Sequence, residues 1–460
     1  MEELPYEIIN IIVDNCDFLS KIRLGSINKD FHKNTQICDL MKIPLDFIKK
    51  LDDEILKQFK FKNLKKLHVN NKITLKGILI FNLIELNISD NNTINIISFM
   101  TNLKKLNACG FCGINQKGIR GLDLVKLDAA NNKNINNVAF MKNLKILIAR
   151  GFCGINQKGI RGLDLVKLNA STNININNVS FMKNLKFLSA GGDCGIDQTG
   201  IQGLNLVEFS AVGNTKIKDV SFMKNLKILN ASYNCGIDQK GIESLDLIEL
   251  NAGDNKKINN VTHMKNLKKL NASGFCSINQ EGIQGLDLVE LVVYNNKNIT
   301  NVSFMKNLKK LVACECESCG INQEGIQGLD LIELDAENNV KINDVTFMKN
   351  LKILNASDNC GINQNGIRGL NLVELNSSNN DKIKSVRFMK NLKILNASGN
   401  CGIKQKGIRG LDLIELYARD NHKIKNIMFM KNLKILDIRG KCGIDQKQIK
   451  ELNLSIYYHS

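Results

Sequence analysis

A block of about 41 residues recurs from near Phe61 to the C-terminal end of this chain. Its Phe-Met-Lys-Asn-Leu junction places methionine at 141, 182, 223, 264, 305, 348, 389 and 430. Every step is 41 residues except the 43 between Met305 and Met348. A fixed period of this size gives one supersecondary unit per repeat, and such a unit buries its apolar face only against its neighbours. The repeated part is therefore expected to stack into a solenoid, which presents long surfaces more readily than enclosed pockets.

Each block splits in two. Leu144, Leu147, Ala149 and Ile155 follow the pattern LxxLxAxxNxxI, with Phe152 at the Asn place. Leu165, Leu168, Ala170, Asn173 and Ile176 repeat it in the second half, and Leu185 opens the next block. This spacing, recurring some nineteen times over about 85% of the chain, resembles the leucine-rich-repeat family. The resemblance implies an α/β fold: a curved, right-handed solenoid over residues 61–460, with about 19 coils and a parallel β-sheet on its concave face.

The residues fit that expectation physically. Apolar side chains at positions 4 and 6 of each unit alternate along a short strand and point to one side. Position 6 is usually Ala (Ala108, Ala149, Ala190, Ala231, Ala272, Ala356, Ala397), small enough to close the coil tightly. Asn132, Asn173, Asn214, Asn255, Asn296, Asn339, Asn380 and Asn421 hold position 9 of the second halves. Their amides can serve backbone groups left unpaired where the coil turns. Phe140, Phe181, Phe222, Phe304, Phe347, Phe388 and Phe429 are expected to stack as an internal spine, with His263 as the one substitution. The two prolines, Pro5 and Pro44, precede the repeats, as a continuous ladder requires.

Nine cysteines recur at one place in the first halves: Cys112, Cys153, Cys194, Cys235, Cys276, Cys319, Cys360, Cys401 and Cys442. Coils pair ~4.8 Å apart, so cysteines two coils apart lie ~10 Å from each other. A disulfide needs Cα atoms within ~7 Å, so the column is expected to stay reduced, as small buried apolar groups in a reducing compartment, cytoplasm or nucleus. The longer step carries Cys314, Cys316 and Cys319. A loop insertion explains them, and a metal site there would lack a fourth ligand. No cofactor is implied. No apolar run reaches the ~18 residues of a membrane span, and no secretion signal opens the chain.

Residues 1–60 carry no repeat. Residues 1–40 read as short amphipathic helices and 41–60 as a helical linker or cap. Leu4, Pro5 and Ile8, followed by Ile12, Leu19, Leu24 and Phe31 at helical spacing, resemble the F-box. Ile27-Asn28 stands where that family commonly has Val-Cys, and Phe31 where it has Trp. The alternative is a plain cap shielding the first coil. An F-box followed by leucine-rich repeats resembles the substrate receptors of cullin-RING ubiquitin ligases. That resemblance implies docking on a Skp-type adaptor, and through it a cullin, with the repeats holding a target protein. The near-identical repeats rich in Asn, Ile and Lys also resemble F-box/repeat proteins of giant DNA viruses of amoebae, which would place the protein in host cytoplasm.

Charge offers a second class of partner. Residues 1–60 hold 9 basic and 11 acidic residues, and the remainder 54 and 34, a net of +20. Such a body could hold nucleic acid or another polyanion. Its lysines are spread evenly, however; Lys145, Lys186, Lys227, Lys268, Lys309, Lys352, Lys393 and Lys434 read as a solvated edge. Glu208, Glu249, Glu290, Glu333, Glu374 and Glu415 form a second regular column, interleaved with Ile or Lys. Scattered histidines and the absence of any nucleophile or HExxH motif point away from catalysis.

The copies can be compared with each other. Exposed strand positions 5 and 7 are usually Asn, Ser or Gly, and the departures are Ile148, Arg150, Val292, Tyr294, Val312, Tyr417, Arg419, Asp437 and Arg439. Tyr and Arg are frequent interface anchors. Arg150, Val292 with Tyr294 and Val312, and Tyr417 with Arg419 and Arg439 are therefore the candidate target-binding residues.

Overall fold

The computed structural model describes residues 20, 37–41, 43–58, 61–314 and 318–458. Leu4, Pro5, Ile8, Ile12, Leu19, Leu24 and Phe31 lie outside them. The chain divides into two compact units, Met1–Ile217 and Lys218–Ser460. In the first, nine described strands run in chain order from Asp39–Leu40 to Glu208–Ser210, each parallel to the next. In the second, twelve run from Ile228–Asn230 to Ile456–Tyr458 in the same way. The fold is a parallel β-solenoid with little helix. The ladder begins ahead of the sequence repeat: Asp39 pairs with Lys66 and Leu40 with Leu67. Between those two strands lie the short helices Leu45–Ile48 and Asp53–Leu56.

Apart from Asp39–Leu40, the described strands are three residues long because one coil offers one flat side. In most of them only the central residue is buried and its neighbours are half-exposed, as at Ile146, Leu147 and Ile148. Leu127, Leu147 and Leu168 stand in register on successive strands. A one-residue slip would turn that whole column to solvent, so the register is strongly specified. Across the coil, first halves carry a tight 3-10 turn such as Lys158–Ile160, with Gly159 and Ile160 buried. A Cβ on Gly159 would come within 2.1 Å of the Asn136 carbonyl oxygen. Glycine is what lets adjacent coils approach there.

The internal spine is made of methionine, not phenylalanine. Met141, Met182, Met223, Met264, Met305, Met348, Met389 and Met430 are fully buried. Phe140, Phe181, Phe304 and Phe388 are exposed, and Phe222, His263, Phe347 and Phe429 intermediate. The return segment turns in threes: Met141 N–H donates to the Val138 carbonyl and Leu144 N–H to that of Met141, both at 3.0 Å. Ile135, Val138, Met141, Leu144 and Leu147 consequently all point inward. Phe140 falls between two of them and points out.

Three polar ladders join the coils. The first is the asparagine column. Asn132 Nδ2 donates to the carbonyls of Ala108 at 2.9 Å and Ile114 at 3.1 Å, and its Oδ1 accepts the N–H of Asn134 at 2.9 Å. A buried amide thus serves three backbone groups that no strand reaches. The second is glutamine: Gln157 Nε2 donates to the Asn178 carbonyl at 2.8 Å, and Oε1 accepts from Asn177 and Asn178 N–H at 3.0 and 2.9 Å. The third pairs aspartate with asparagine, as where Asn184 N–H and Nδ2 donate to Asp164 at 3.2 and 2.5 Å. Hydrogen bonds from Asn184 hold the Asp164 carboxyl below its ordinary range.

In first halves the place of the buried Asn belongs to the cysteine, one residue later than the sequence pattern suggests. Cys153 is buried and Phe152 almost wholly exposed. The described cysteines are all free thiols. Burial pushes Cys112, Cys153, Cys276 and Cys360 up to about 11.

The two-residue insertion is absorbed between Ala313 and Cys319. Asn339 Nδ2 still donates to Ala313 and Ile321 carbonyls, at 2.7 and 3.2 Å, the first across 26 residues where Asn132 spans 24. Cys319 regains the buried column. Cys314 is half-buried, and Cys316 lies outside the described residues. Among the described residues no group of His, Cys, Asp and Glu could hold a metal ion, and no helix is long and apolar enough to cross a membrane.

Candidate binding surface

The outward strand positions form columns along the sheet. Position 3 of the second unit reads Ile228, Glu249, Lys269, Glu290, Lys310, Glu333 and Ile353 in register. The glutamate column is therefore interrupted by the first halves. Lys269 Nζ lies 3.2 Å from Glu290, and Lys310 Nζ lies 2.8 Å from Glu333. Exposed pairs of this kind are each worth about 0–1 kcal/mol, so they set charge pattern more than stability. The edge lysines from Lys145 to Lys434 are exposed or half-exposed.

Beside that ladder the structure brings Val292 and Val312 together, opposite each other on adjacent strands. Two residues beyond Val292 stands Tyr294, 41% exposed. On the next strand Val312 faces Asp335. Asp335 is half-buried; its loss of hydration pushes the carboxyl up, against hydrogen bonds from Glu337 N–H and Asn355 that favour the charged form. Glu337 accepts from Asn355 Nδ2 at 3.1 Å. The result is an apolar step, two valines and a tyrosine, bordered by the carboxylates of Glu333, Asp335 and Glu337. Sequence comparison singled out the valines and the tyrosine; the acidic border was missed because Asp335 and Glu337 look like ordinary polar residues until placed beside them.

The second candidate group is less open. Tyr417 donates its hydroxyl to Glu415 Oε2 at 2.8 Å, which pushes the phenol up to about 12. Arg439 grips Asp437, with Nη2 2.6 Å from Oδ2 and Nε 3.0 Å from Oδ1. Its guanidinium also lies 5.2 Å from the Tyr458 ring centroid. Arg419 Nε sits 3.4 Å from Asp420. These groups largely satisfy one another. Arg150 is exposed on the first unit.

No family model matches the chain, and no curated protein matches its sequence. Solved structures do match. TLR13 in complex with ssRNA13 is 19% identical, covering 83% of this chain and 64% of its own, with a TM-score of 0.51. A Leptospira interrogans leucine-rich-repeat protein is 17% identical, covering 95% of each chain, at a TM-score of 0.27. CroV588, a circular leucine-rich-repeat protein, is 13% identical over 90% of this chain and 77% of its own, at 0.38. With the coil geometry above, the likeness to TLR13 shows the fold, a leucine-rich-repeat solenoid. The chain spans less than two thirds of the TLR13 chain's length.

Proposed function

We propose that this chain is a binding scaffold that captures a target protein on the strand face of its second unit, around Val292, Val312 and Tyr294. The observation carrying the reading is the contiguous apolar step at a place where most other copies carry Asn or Ser. Water is displaced from such a step at little cost, and an aromatic anchor at its edge is the usual form of an interface hot spot. The bordering carboxylates define the partner's chemistry: an apolar side chain beside a lysine or arginine. A cation meeting Asp335 would restore the charge interactions that burial has taken from its carboxylate.

Residues 1–40 complete the proposal. Their likeness to the F-box makes them the docking head for a Skp-type adaptor and, through it, a cullin, so that the captured protein would be presented for ubiquitination. The scaffold would act by holding, with no catalytic group of its own.

Two sets of variants test the two halves separately. Tyr294→Ala and Val312→Asp are expected to abolish recovery of the partner found by affinity purification, with Skp recovery unchanged. Changing Leu4, Pro5 and Ile8 together to Ala should do the reverse. Partner recovery that survives the first set sinks the proposed face. Skp recovery that survives the second, or is never seen, sinks the F-box reading.

A further inference from the structure

The first unit carries a different surface. Phe111 and Phe152 are 89% and 88% exposed, more than any other large apolar side chain described. At the same place another first half carries Phe275, and others carry Asp193, Asn234, Asn359, Asn400 and Lys441. The fold therefore needs no ring there, and both rings are left in water.

Their backbones are held firmly. Phe111 N–H donates to Asp90 Oδ1 at 3.2 Å and Phe152 N–H to Asn131 Oδ1 at 3.3 Å. The preceding Gly151 has a φ of +68°, and a Cβ on it would meet Asn131 Oδ1 at 2.0 Å. On the other side, Cys112 and Cys153 are anchored in the core. Each ring thus projects from a fixed turn.

The coil between the two rings carries a cation. Lys133, exposed, follows the buried Asn132 on the intervening coil, and its carbonyl packs against Gly154. Lys133 precedes Phe152 by the same number of residues as Lys256 precedes Phe275 in the second unit, and there Nζ reaches to 5.5 Å from the ring centroid. Arg150 is exposed two residues before Phe152, and Ile174, 69% exposed, holds the place of Lys133 on the coil after Phe152. Four successive coils therefore contribute a ring, a cation, a ring and an apolar side chain, the rings just before the buried residue of their coil and Lys133 and Ile174 just after theirs. At ~4.8 Å per coil the two rings are ~10 Å apart. No stretch of sequence contains this cluster, since each coil contributes one member to the row.

We infer that this edge binds single-stranded nucleic acid, with unpaired bases stacked on Phe111 and Phe152 and the backbone phosphates neutralised by Lys133 and Arg150. Aromatic faces interleaved with cations are what such strands require, and every base offers a face to stack. The positive charge of the repeat body favours a polyanion over a cationic partner. A duplex would not fit, because its bases already stack on one another and cannot reach the rings.

The test uses the full chain with fluorescent oligo(dT), oligo(U) and a DNA duplex of equal length, read by anisotropy at physiological salt. Either single strand should bind more tightly than the duplex, and the tighter of the two identifies DNA or RNA as the ligand. The Phe111→Ala, Phe152→Ala double variant should lose about tenfold or more in affinity, while Tyr at both places should keep most of it. Because both rings are in water, thermal unfolding of the Ala variant should match the parent. Lys133→Gln should reduce the salt slope by about one phosphate contact. Equal binding of duplex and single strand, an unchanged double variant, or no binding overturns the inference. The strand-face variants Tyr294→Ala and Val312→Asp should leave this binding intact, so the two proposals fail separately.

Discussion

Asn173 reaches back 24 residues to donate its Nδ2 to the carbonyl of Ala149 at 2.7 Å, and the same amide donates to Ile155 at 3.1 Å. Both bonds are buried, so removing the amide leaves two carbonyls without water or partner. Asn173→Ala should cost about 2–4 kcal/mol in chemical denaturation. Asn173→Asp keeps the shape but supplies no donor, and should cost at least as much. A denaturation midpoint indistinguishable from the parent's for either variant would contradict the rung.

The outward turn of the phenylalanines gives a paired comparison. Met182 is fully buried and Phe181 is exposed. Met182→Ala should destabilise by about 2–4 kcal/mol through the cavity it leaves, whereas Phe181→Ala should cost under about 1 kcal/mol. Thermal unfolding of the two variants side by side decides which residue forms the spine.

The thiols should be inert as well as unpaired. Burial holds Cys153 near 11, so very little thiolate is present at neutral pH. Labelling of native protein with iodoacetamide at pH 7 should leave the buried column unmodified, and denaturant should expose all fourteen cysteines of the chain as free thiols. Disulfides found by mass spectrometry in fresh protein would refute the spacing argument.

Two aspartates should respond to pH in opposite directions. Asp335 has its pKa raised by burial, so the folded state holds that proton more tightly than the unfolded chain. Its contribution is favourable at low pH and is lost as pH rises through the raised folded value. Asp335→Asn should therefore stabilise the protein at pH 7, and the advantage should shrink towards pH 4. Asp164 has its pKa lowered by hydrogen bonds from Asn184; its contribution is present above the ordinary carboxylate range and is lost as pH falls through the depressed value. Denaturation midpoints of Asp335→Asn, Asp164→Ala and parent across pH 3–7 should show the two trends; parallel curves would refute both.

Tyr233 sits at a φ of +61°, where the corresponding residue of other first halves is often glycine, as at Gly151 and Gly192. A bulky side chain is strained there. Tyr233→Gly should raise stability by up to about 1 kcal/mol, measured by thermal unfolding. A loss of stability would instead show that the exposed ring makes contacts that outweigh the strain.

Much of the fold was legible from the chain. The 41-residue period, the Leu and Ala positions and the buried Asn column each follow from one unit repeated many times, and a repeated unit must solve the same packing problem at every copy. The spacing that keeps the cysteines apart followed from the same period. What only the tertiary structure decided was direction and company. The return segment turns in threes, so methionine faces in and phenylalanine out, although both are apolar neighbours in the same junction. Cys153, rather than Phe152, takes the inner place, although first and second halves alike turn through a positive φ just before it, at Gly151 and at Asn131. Arg439 looked like an interface anchor until Asp437 was found clasping it. Val292 met Val312, and Phe111, Lys133 and Phe152 came onto successive coils, only when the coils stacked. Neighbours along the chain are set by sequence. Neighbours across coils are separated by a whole turn of the chain, and only the register of the folded ladder determines which of them touch.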